Sequence, residues 1–335
     1  MQGARWFLKT DLNKGYWQLA LSEKSKELCT LSTHLGCVRP NRVPMGVKIS
    51  GELFDAKIAS ILSHCKFTTH NRDDILLGCP TLESLLEEWE KVLAAFEKNG
   101  LTLNGKKTIV GLKQIEWYGF LLTENGASPS PKKVQALRSA PRPITADGVI
   151  SFLCTVGFNS RFILRFAEHS IPLRKLSLSK SEFRWTDVHE ESFNYLKNAL
   201  CTNTLNNTFR KHRTTGVFCD AGKKQHTKDT PGALSAVLAQ RDSDSNWIPI
   251  QFVSRVLSDV ETRYSQTELE SLSILYGCKR LDFYLRGARG IEIYTDHLPL
   301  VTMYNKHLKT TPQPHLHPTI TRMLCFPARA TIRLL

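Results

Sequence analysis

Residues 5 to 12, RWFLKTDL, form an apolar run that reads as a short buried strand ending at Asp11. Residues 73 to 77, DDILL, open a second such run on two adjacent aspartates. Like charges side by side are costly unless water or a cation compensates them. A solvated turn pair is the ordinary fate of an Asp-Asp dipeptide. Here the apolar ILL that follows restricts access to water and shifts the balance toward a bound cation. Hard oxygen ligands suit Mg²⁺, and two such ions can activate the attacking and leaving oxygens of phosphoryl transfer. Asp11 with Asp73 and Asp74 fits that chemistry.

A second set of acids is similar in kind. Asp220 ends the strand-like VFC, Asp296 ends IEIYT, and Glu270 lies on a predicted helix whose Leu269, Leu272 and Leu275 face a core. Three carboxylates on three elements can converge on one metal cluster; unrelated surface acids are the default alternative. Glu268 competes with Glu270, but two residues apart on a helix they occupy different faces.

The chain has 335 residues, 41% of them hydrophobic, enough for a sizeable core and two or three domains. Its net charge of +14 points to a polyanionic partner such as nucleic acid, against the plainer reading of a solvated basic surface. Nine cysteines contain no C-x-x-C pair, which argues against a zinc ribbon and for reduced thiols in an intracellular protein, with cytoplasm and nucleus unresolved. No secretory signal and no apolar run of membrane-spanning length is present, so no membrane role is expected.

Along the chain, a Gly/Pro-punctuated stretch around Gly36, Pro40, Pro44 and Gly46 precedes a predicted helix after Gly51. Leu82, Leu85, Leu86, Trp89, Val92, Leu93 and Phe96 recur at helical spacing after Thr81, and Gly100 supplies the stop. IEWYGFLL, residues 115 to 122, reads as one strand before a turn at Asn125 and Gly126. The segment Ser128 to Arg142 reads as a boundary into a helical region, in which Thr186 caps a helix carrying Val188, Phe193, Leu196 and Leu200. From Thr214 the pattern is TGVFCDA, a basic loop KKQHTKDTPG, GALSAVLAQ, a strand IPIQFVS, a helix near Thr267 to Leu281, and the strand IEIYTD. Few signals follow Pro312. The pattern is that of a multidomain α+β and α/β chain.

TDLNKGYWQ, THLGCVRPNRVPMGVKISGELF, DDILLG, NGLTLNGKK and WYGFLLTENGASPSPKKVQAL, in this order, resemble the polymerase motifs of gypsy-type long-terminal-repeat retrotransposon Pol polyproteins. FLCTVGFNSRFILRFAEHSIPL and FRWTDVHEESFNYLKNAL resemble the connecting helices. FCDA, SRVLSDVETRYSQTELESLSILYGCKRLDFYL and IYTDHLPL resemble the RNase H part. The resemblance implies a reverse-transcriptase palm over 1–128, a mainly helical thumb and connection over 129–213, and an RNase H-like fold over 214–335. It implies an RNA-directed DNA polymerase with RNase H, acting on an RNA template, a DNA primer, dNTPs and an RNA–DNA hybrid. Oligomeric state is not implied. Asp11, Asp73 and Asp74 would bind Mg²⁺, or Mn²⁺ in its place, for polymerisation, and Asp220, Glu270 and Asp296 would bind it for hybrid hydrolysis. Tyr16 would sit below the incoming sugar, Gly46 beside template and nucleotide, and Tyr118 and Gly119 on the primer backbone. Lys106 or Lys107 would donate a proton or neutralise the leaving pyrophosphate.

Some residues depart from that pattern. Only ten precede Asp11, where the family has its fingers, so impaired polymerisation is expected. HNR stands before Asp73 in place of the family's aromatic. KKQHTKDTP interrupts the first RNase H hairpin, Ser235 replaces an expected glycine, and the fourth metal position would lie beyond Leu335. The alternative to an enzyme is an inactive retroelement relic or a domesticated nucleic-acid-binding protein.

Overall fold

The computed structural model describes residues 3–178, 183–202, 206–222, 232–286, 288, 290–307 and 330–335. The chain divides into two compact units, Met1–Trp117 with Leu122–Glu124, and Tyr118–Leu121 with Asn125–Leu335.

The first unit runs β1 (Trp6–Asp11), α1 (Glu23–Leu28), β2 (Leu31–Thr33), β3 (Gly36–Val38), α2 (Ser50–Ile61), β4 (Thr68–Asn71), β5 (Asp74–Cys79), α3 (Leu82–Lys98), β6 (Ile109–Leu112) and β7 (Gln114–Trp117). Its sheet has the order β4-β5-β1-β6. The runs WFLKT and DILLGC carry little polar alternation because both sheet faces are covered. Leu8, Ile75 and Leu77 pack with Phe54, Ile58, Leu85, Val92 and Phe96 of the helices. Phe7 and Leu76 pack on the opposite face with Ala4 and Ile115.

Thr81 caps α3 in a reciprocal box with Ser84. The apolar stripe is narrower than its sequence implies: Leu85, Val92 and Phe96 are buried, whereas Leu86 and Leu93 are exposed. Buried Glu88 interrupts the stripe and accepts hydrogen bonds from the Phe67 N–H (2.8 Å) and the Thr68 hydroxyl (3.3 Å), tying α3 to the start of β4. IEWYGFLL is not one strand. Tyr118 and Gly119 take φ of 47° and 80°, the pair of left-handed residues that makes a tight hairpin turn, and β7 ends there.

β8 (Phe120–Thr123) spans the boundary between the units. The second unit continues with β9 (Gly126–Pro129), α4 (Pro131–Arg138), α5 (Ala146–Gly157), α6 (Phe166–Leu178), α7 (Asp187–Thr202) and β10 (Asn206–Asn207). Ser128 to Arg142 is therefore not a bare linker: it contributes part of β9 and all of α4, whose first turn accommodates Pro131. Val149, Phe152, Val156, Phe162, Phe193, Leu196 and Leu200 share one helical core, while Val188 lies on the exposed face of α7.

Then follow β11 (Thr215–Gly222), β12 (Ala233–Arg241), β13 (Trp247–Val256), α8 (Gln266–Arg280), α9 (Asp282–Leu285), β14 (Ile291–Thr295), α10 (Leu298–His307) and β15 (Ala330–Leu334). The sheet order is β13-β12-β11-β14-β15, with antiparallel pairing from β13 to β11 and parallel pairing from β11 through β14 to β15. α8 lies close on this sheet at Gly277, where a Cβ would stand 2.8 Å from Ala236 Cβ. β15 had no clear sequence signal. Its Ile332 is buried in the sheet's core cluster, so partnership rather than local pattern makes it a strand. The basic stretch 223–231 lies outside the described residues. Among those described, no helix is long and apolar enough to cross a membrane, and every cysteine is free.

Two candidate carboxylate sites

The antiparallel register of β1 and β5 sets Asp11 opposite Asp74. Asp73 is not in the strand, as the sequence had it, but in the turn between β4 and β5, beside Arg72 at φ 55°. The Leu12 N–H donates to the Asp73 carbonyl (2.9 Å) and the Asn104 N–H to the Asp11 carbonyl (2.8 Å), which fixes the backbone at both strand ends. The unusual HNR is accounted for locally. Arg72 donates from its N–H to Asp55 of α2 (3.1 Å) and pairs its guanidinium with the same carboxylate (2.7 Å), anchoring the turn.

Asp11 is 6% exposed. Its Oδ2 accepts from Lys107 Nζ, and its Oδ1 is buried with no partner among the described residues. Asp74 pairs with Lys9 Nζ at 3.5 Å. The Lys107 ammonium is held above the ordinary lysine range, first by its hydrogen bond to Asp11 and then by the Asp11, Asp73 and Asp74 charges. Of the two candidate lysines, Lys107 reaches the carboxylates, while the Lys106 N–H bonds the Asn104 side chain in the preceding turn (3.2 Å).

Tyr16 lies in a short 3-10 helix, Gly15–Gln18, half-buried with its ring 4.9 Å from that of Phe54. Its neighbour Gly15 is a residue that motif spacing did not single out. A Cβ there would lie 2.9 Å from the Phe54 ring and 3.2 Å from Asp73 Cβ. Gln18 is another: its amide accepts from the Thr102 N–H (2.6 Å) and donates to the Thr102 carbonyl (2.9 Å). Gly46 is exposed at φ 91° with open space where a side chain would be. Tyr118 and Gly119 form the hairpin turn already described, and the Lys133 side chain fills the space a Gly119 Cβ would need.

In the second set, Asp220 sits on β11 opposite Ser235, which in turn faces Ser254 on β13. Ser235 is 8% exposed, so a small side chain satisfies the packing where a glycine was expected. Glu270, on α8, is 2% exposed. Its Oε1 accepts from Gln266 Nε2 (2.7 Å), and its Oε2 is buried without a partner among the described residues. Burial, then the negative charges of Asp296 and Asp220, push its carboxyl up to about 7, against the opposing pull of the Gln266 hydrogen bond. Asp296 is exposed directly after β14. Glu268 does not compete, because it closes the capping box with Ser265 at the start of α8. Arg165, unnoticed in the sequence, pairs its Nη2 with Asp220 Oδ2 at 2.7 Å.

Among the described residues no three Asp, Glu, His or Cys side chains are gathered at metal-holding distance. What the two sets share is one buried carboxylate oxygen apiece without a donor, Asp11 Oδ1 and Glu270 Oε2. Buried unpaired acceptors are costly and rare in folded proteins. Hard anionic oxygens in that state fit a divalent cation.

Residues 1–122 match the family described as reverse transcriptase (RNA-dependent DNA polymerase), and residues 185–293 match the RNase H-like domain found in reverse transcriptase. The chain is therefore similar to reverse transcriptases over its first third and to their RNase H-like domain over a later third. Among its relatives are retrotransposon Pol polyproteins. It is 29% identical over 311 residues to the Pol polyprotein of transposon opus of Drosophila melanogaster, covering 89% of this chain and 30% of that one. It is 25% identical over 310 residues to that of transposon gypsy from the same organism, covering 89% and 29%. The chain thus spans under a third of the curated relatives it matches. A foamy viral protease-reverse transcriptase, solved in complex with RNA/DNA hybrid, has a TM-score of 0.80 at 18% identity, covering 99% of this chain and 44% of that one.

Proposed function

We propose that this chain performs metal-assisted phosphoryl transfer on nucleic acid at two places. Asp11, Asp73 and Asp74 serve RNA-directed DNA synthesis from dNTPs, and Asp220, Glu270 and Asp296 serve hydrolysis of the RNA strand of an RNA–DNA hybrid. The observation that carries the reading is the unpaired buried carboxylate oxygen each domain holds beside further acids. We take 1–128 as palm, 129–213 as thumb and connection, and 214–335 as the nuclease domain.

Mg²⁺ bound by these carboxylates would lower the pKa of the attacking group and offset charge on the leaving oxygen. The chain's own residues do the rest. Asp11 and Asp74 are held opposite one another by strand register. Lys107 lies within reach of the carboxylates and can neutralise, or protonate, a departing pyrophosphate. Tyr16, its ring packed 4.9 Å from that of Phe54, would exclude a 2′-hydroxyl by contact. Gly46 leaves room beside the template and nucleotide, and the Tyr118–Gly119 turn offers backbone to the primer. In the nuclease domain Gln266 fixes the Glu270 carboxyl from one side, leaving the other oxygen free. The net charge of +14 supplies attraction to the phosphate backbone, which falls with salt.

Cleavage of a labelled RNA–DNA hybrid, compared with Asp220→Asn, tests the nuclease half, and primer extension on RNA compared with Asp11→Asn tests the other. Each substitution is expected to abolish its own activity and spare the other; equal residual activity in variant and parent overturns the assignment. A binding-only role has one observation in its favour, the cations already paired with Asp11 and Asp220. Salt-sensitive hybrid binding with neither activity would establish it.

A further inference from the structure

Arg165 stands immediately before α6 with φ 51°. A long side chain in the left-handed region is unfavourable and persists where surrounding structure holds it. Two contacts hold this segment. The Ala167 N–H donates to Ser254 Oγ of β13 at 2.9 Å. The Tyr195 hydroxyl of α7 donates to the Leu164 carbonyl at 3.2 Å. Pinned on both sides, the backbone delivers the guanidinium from the helical region to a carboxylate of the sheet, Asp220. The pair is half-exposed, with side-chain exposures of 42% and 37%.

Gln266 Nε2 donates both to Glu270 Oε1 (2.7 Å) and to the carbonyl of Ala221 (3.1 Å), the residue after Asp220, so the guanidinium sits at the edge of the acid group assigned above to hybrid hydrolysis. One carboxylate oxygen cannot serve a close ion pair and a divalent cation at full strength together, because both cations draw on the same lone pairs and repel each other.

We propose that Arg165 is an internal counter-ion of the nuclease site, which must give up Asp220 before a divalent cation is bound there. The inference rests on the nuclease reading of Asp220, Glu270 and Asp296. A phosphate of the hybrid offers the released guanidinium a bidentate partner, so binding of nucleic acid and loading of metal favour each other. Arg165 is thus a positioning residue that ties hybrid binding to metal loading.

The test is Mn²⁺ binding by the full chain, followed by electron paramagnetic resonance, with Asp11→Asn and Asp74→Asn present throughout to silence the other carboxylate set. Arg165→Asn is the informative variant, because asparagine tolerates the left-handed backbone and removes only the cation. It is expected to bind Mn²⁺ about two- to fivefold more tightly, the size of a half-exposed ion pair. Arg165→Lys should stay near the parent, since the charge remains. Adding an RNA–DNA hybrid should tighten Mn²⁺ binding in the parent and do so less in Arg165→Asn. Unchanged or weaker Mn²⁺ binding in Arg165→Asn overturns the proposal while leaving the nuclease reading intact. Equal Mn²⁺ binding by the parent and by Asp220→Asn overturns the nuclease reading, and the role of Arg165 with it.

Discussion

Glu270→Gln should make the metal-free protein more stable at pH 8 while abolishing hybrid cleavage. The wild-type carboxyl titrates near 7 in the folded chain against 4.5 in its unperturbed state. Below 4.5 both folded and unfolded states hold the proton, and the residue makes no pH-dependent contribution. As pH rises, the unfolded chain ionises first, and folding becomes progressively less favourable until the folded carboxyl also ionises at about 7. Above that the penalty is constant. At about 1.4 kcal/mol per pH unit it amounts to about 3 kcal/mol. With Glu270 only 2% exposed, solvent screening does not reduce it much. A glutamine cannot ionise, and its Oε1 can still accept from Gln266. Its amide nitrogen would replace the unpartnered Oε2 and lack an acceptor, at a cost of about 1 kcal/mol. The net gain is about 2 kcal/mol, or about 4–8 °C in the melting of the unit that holds it. Scanning calorimetry in chelator at pH 4 and pH 8 measures this directly. At pH 4 the ionisation penalty is gone and the variant should be about 1 kcal/mol less stable than wild type, and with excess Mg²⁺ at pH 8 the order should also reverse, because a divalent cation favours the ionised wild type. A variant no more stable than wild type at pH 8, or one whose advantage is the same at pH 4, refutes the reasoning.

Lys107→Ala should reduce single-turnover primer extension about 10²-fold or more, and Lys106→Ala much less, because only Lys107 reaches Asp11; equal losses would show that the two lysines share the role. Gly15→Ala should destabilise the first unit by about 1–3 kcal/mol in urea unfolding, since its Cβ would press on the Phe54 ring and on Asp73. The same change should slow extension by displacing Asp73, and an unaltered unfolding midpoint would rule out the close packing.

The strand that ends at Asp11, the helix stopped by Gly100, and the α8 face carrying Leu269 and Leu275 were legible because each is a local pattern, a periodicity closed by a cap or a charge; the strand carrying Asp220 was legible too, but it does not end there, because pairing with β12 extends it to Gly222. Glu268 and Glu270 separated for the same reason, one satisfying the helix cap and the other the core. Legibility failed where a residue's state depends on something distant in sequence. Tyr118 and Gly119 divided an apparently continuous strand, and Ile332 became core by joining a sheet. Leu86 and Leu93 kept helical spacing yet faced water, because α3 meets its sheet over a narrower stripe.

By itself the sequence determined the likeness to retrotransposon Pol polyproteins and nominated the acids proposed to carry the chemistry, since motif order and residue identity reside in the chain itself. Tertiary structure alone decided their electrostatic condition: Asp11 against Lys107, Asp220 against Arg165, and Glu270 buried and half protonated near pH 7. Those conditions arise from burial and from charges 96 and 55 residues away. A carboxylate's affinity for a proton or a metal depends on its surroundings in space, which no local window of sequence contains.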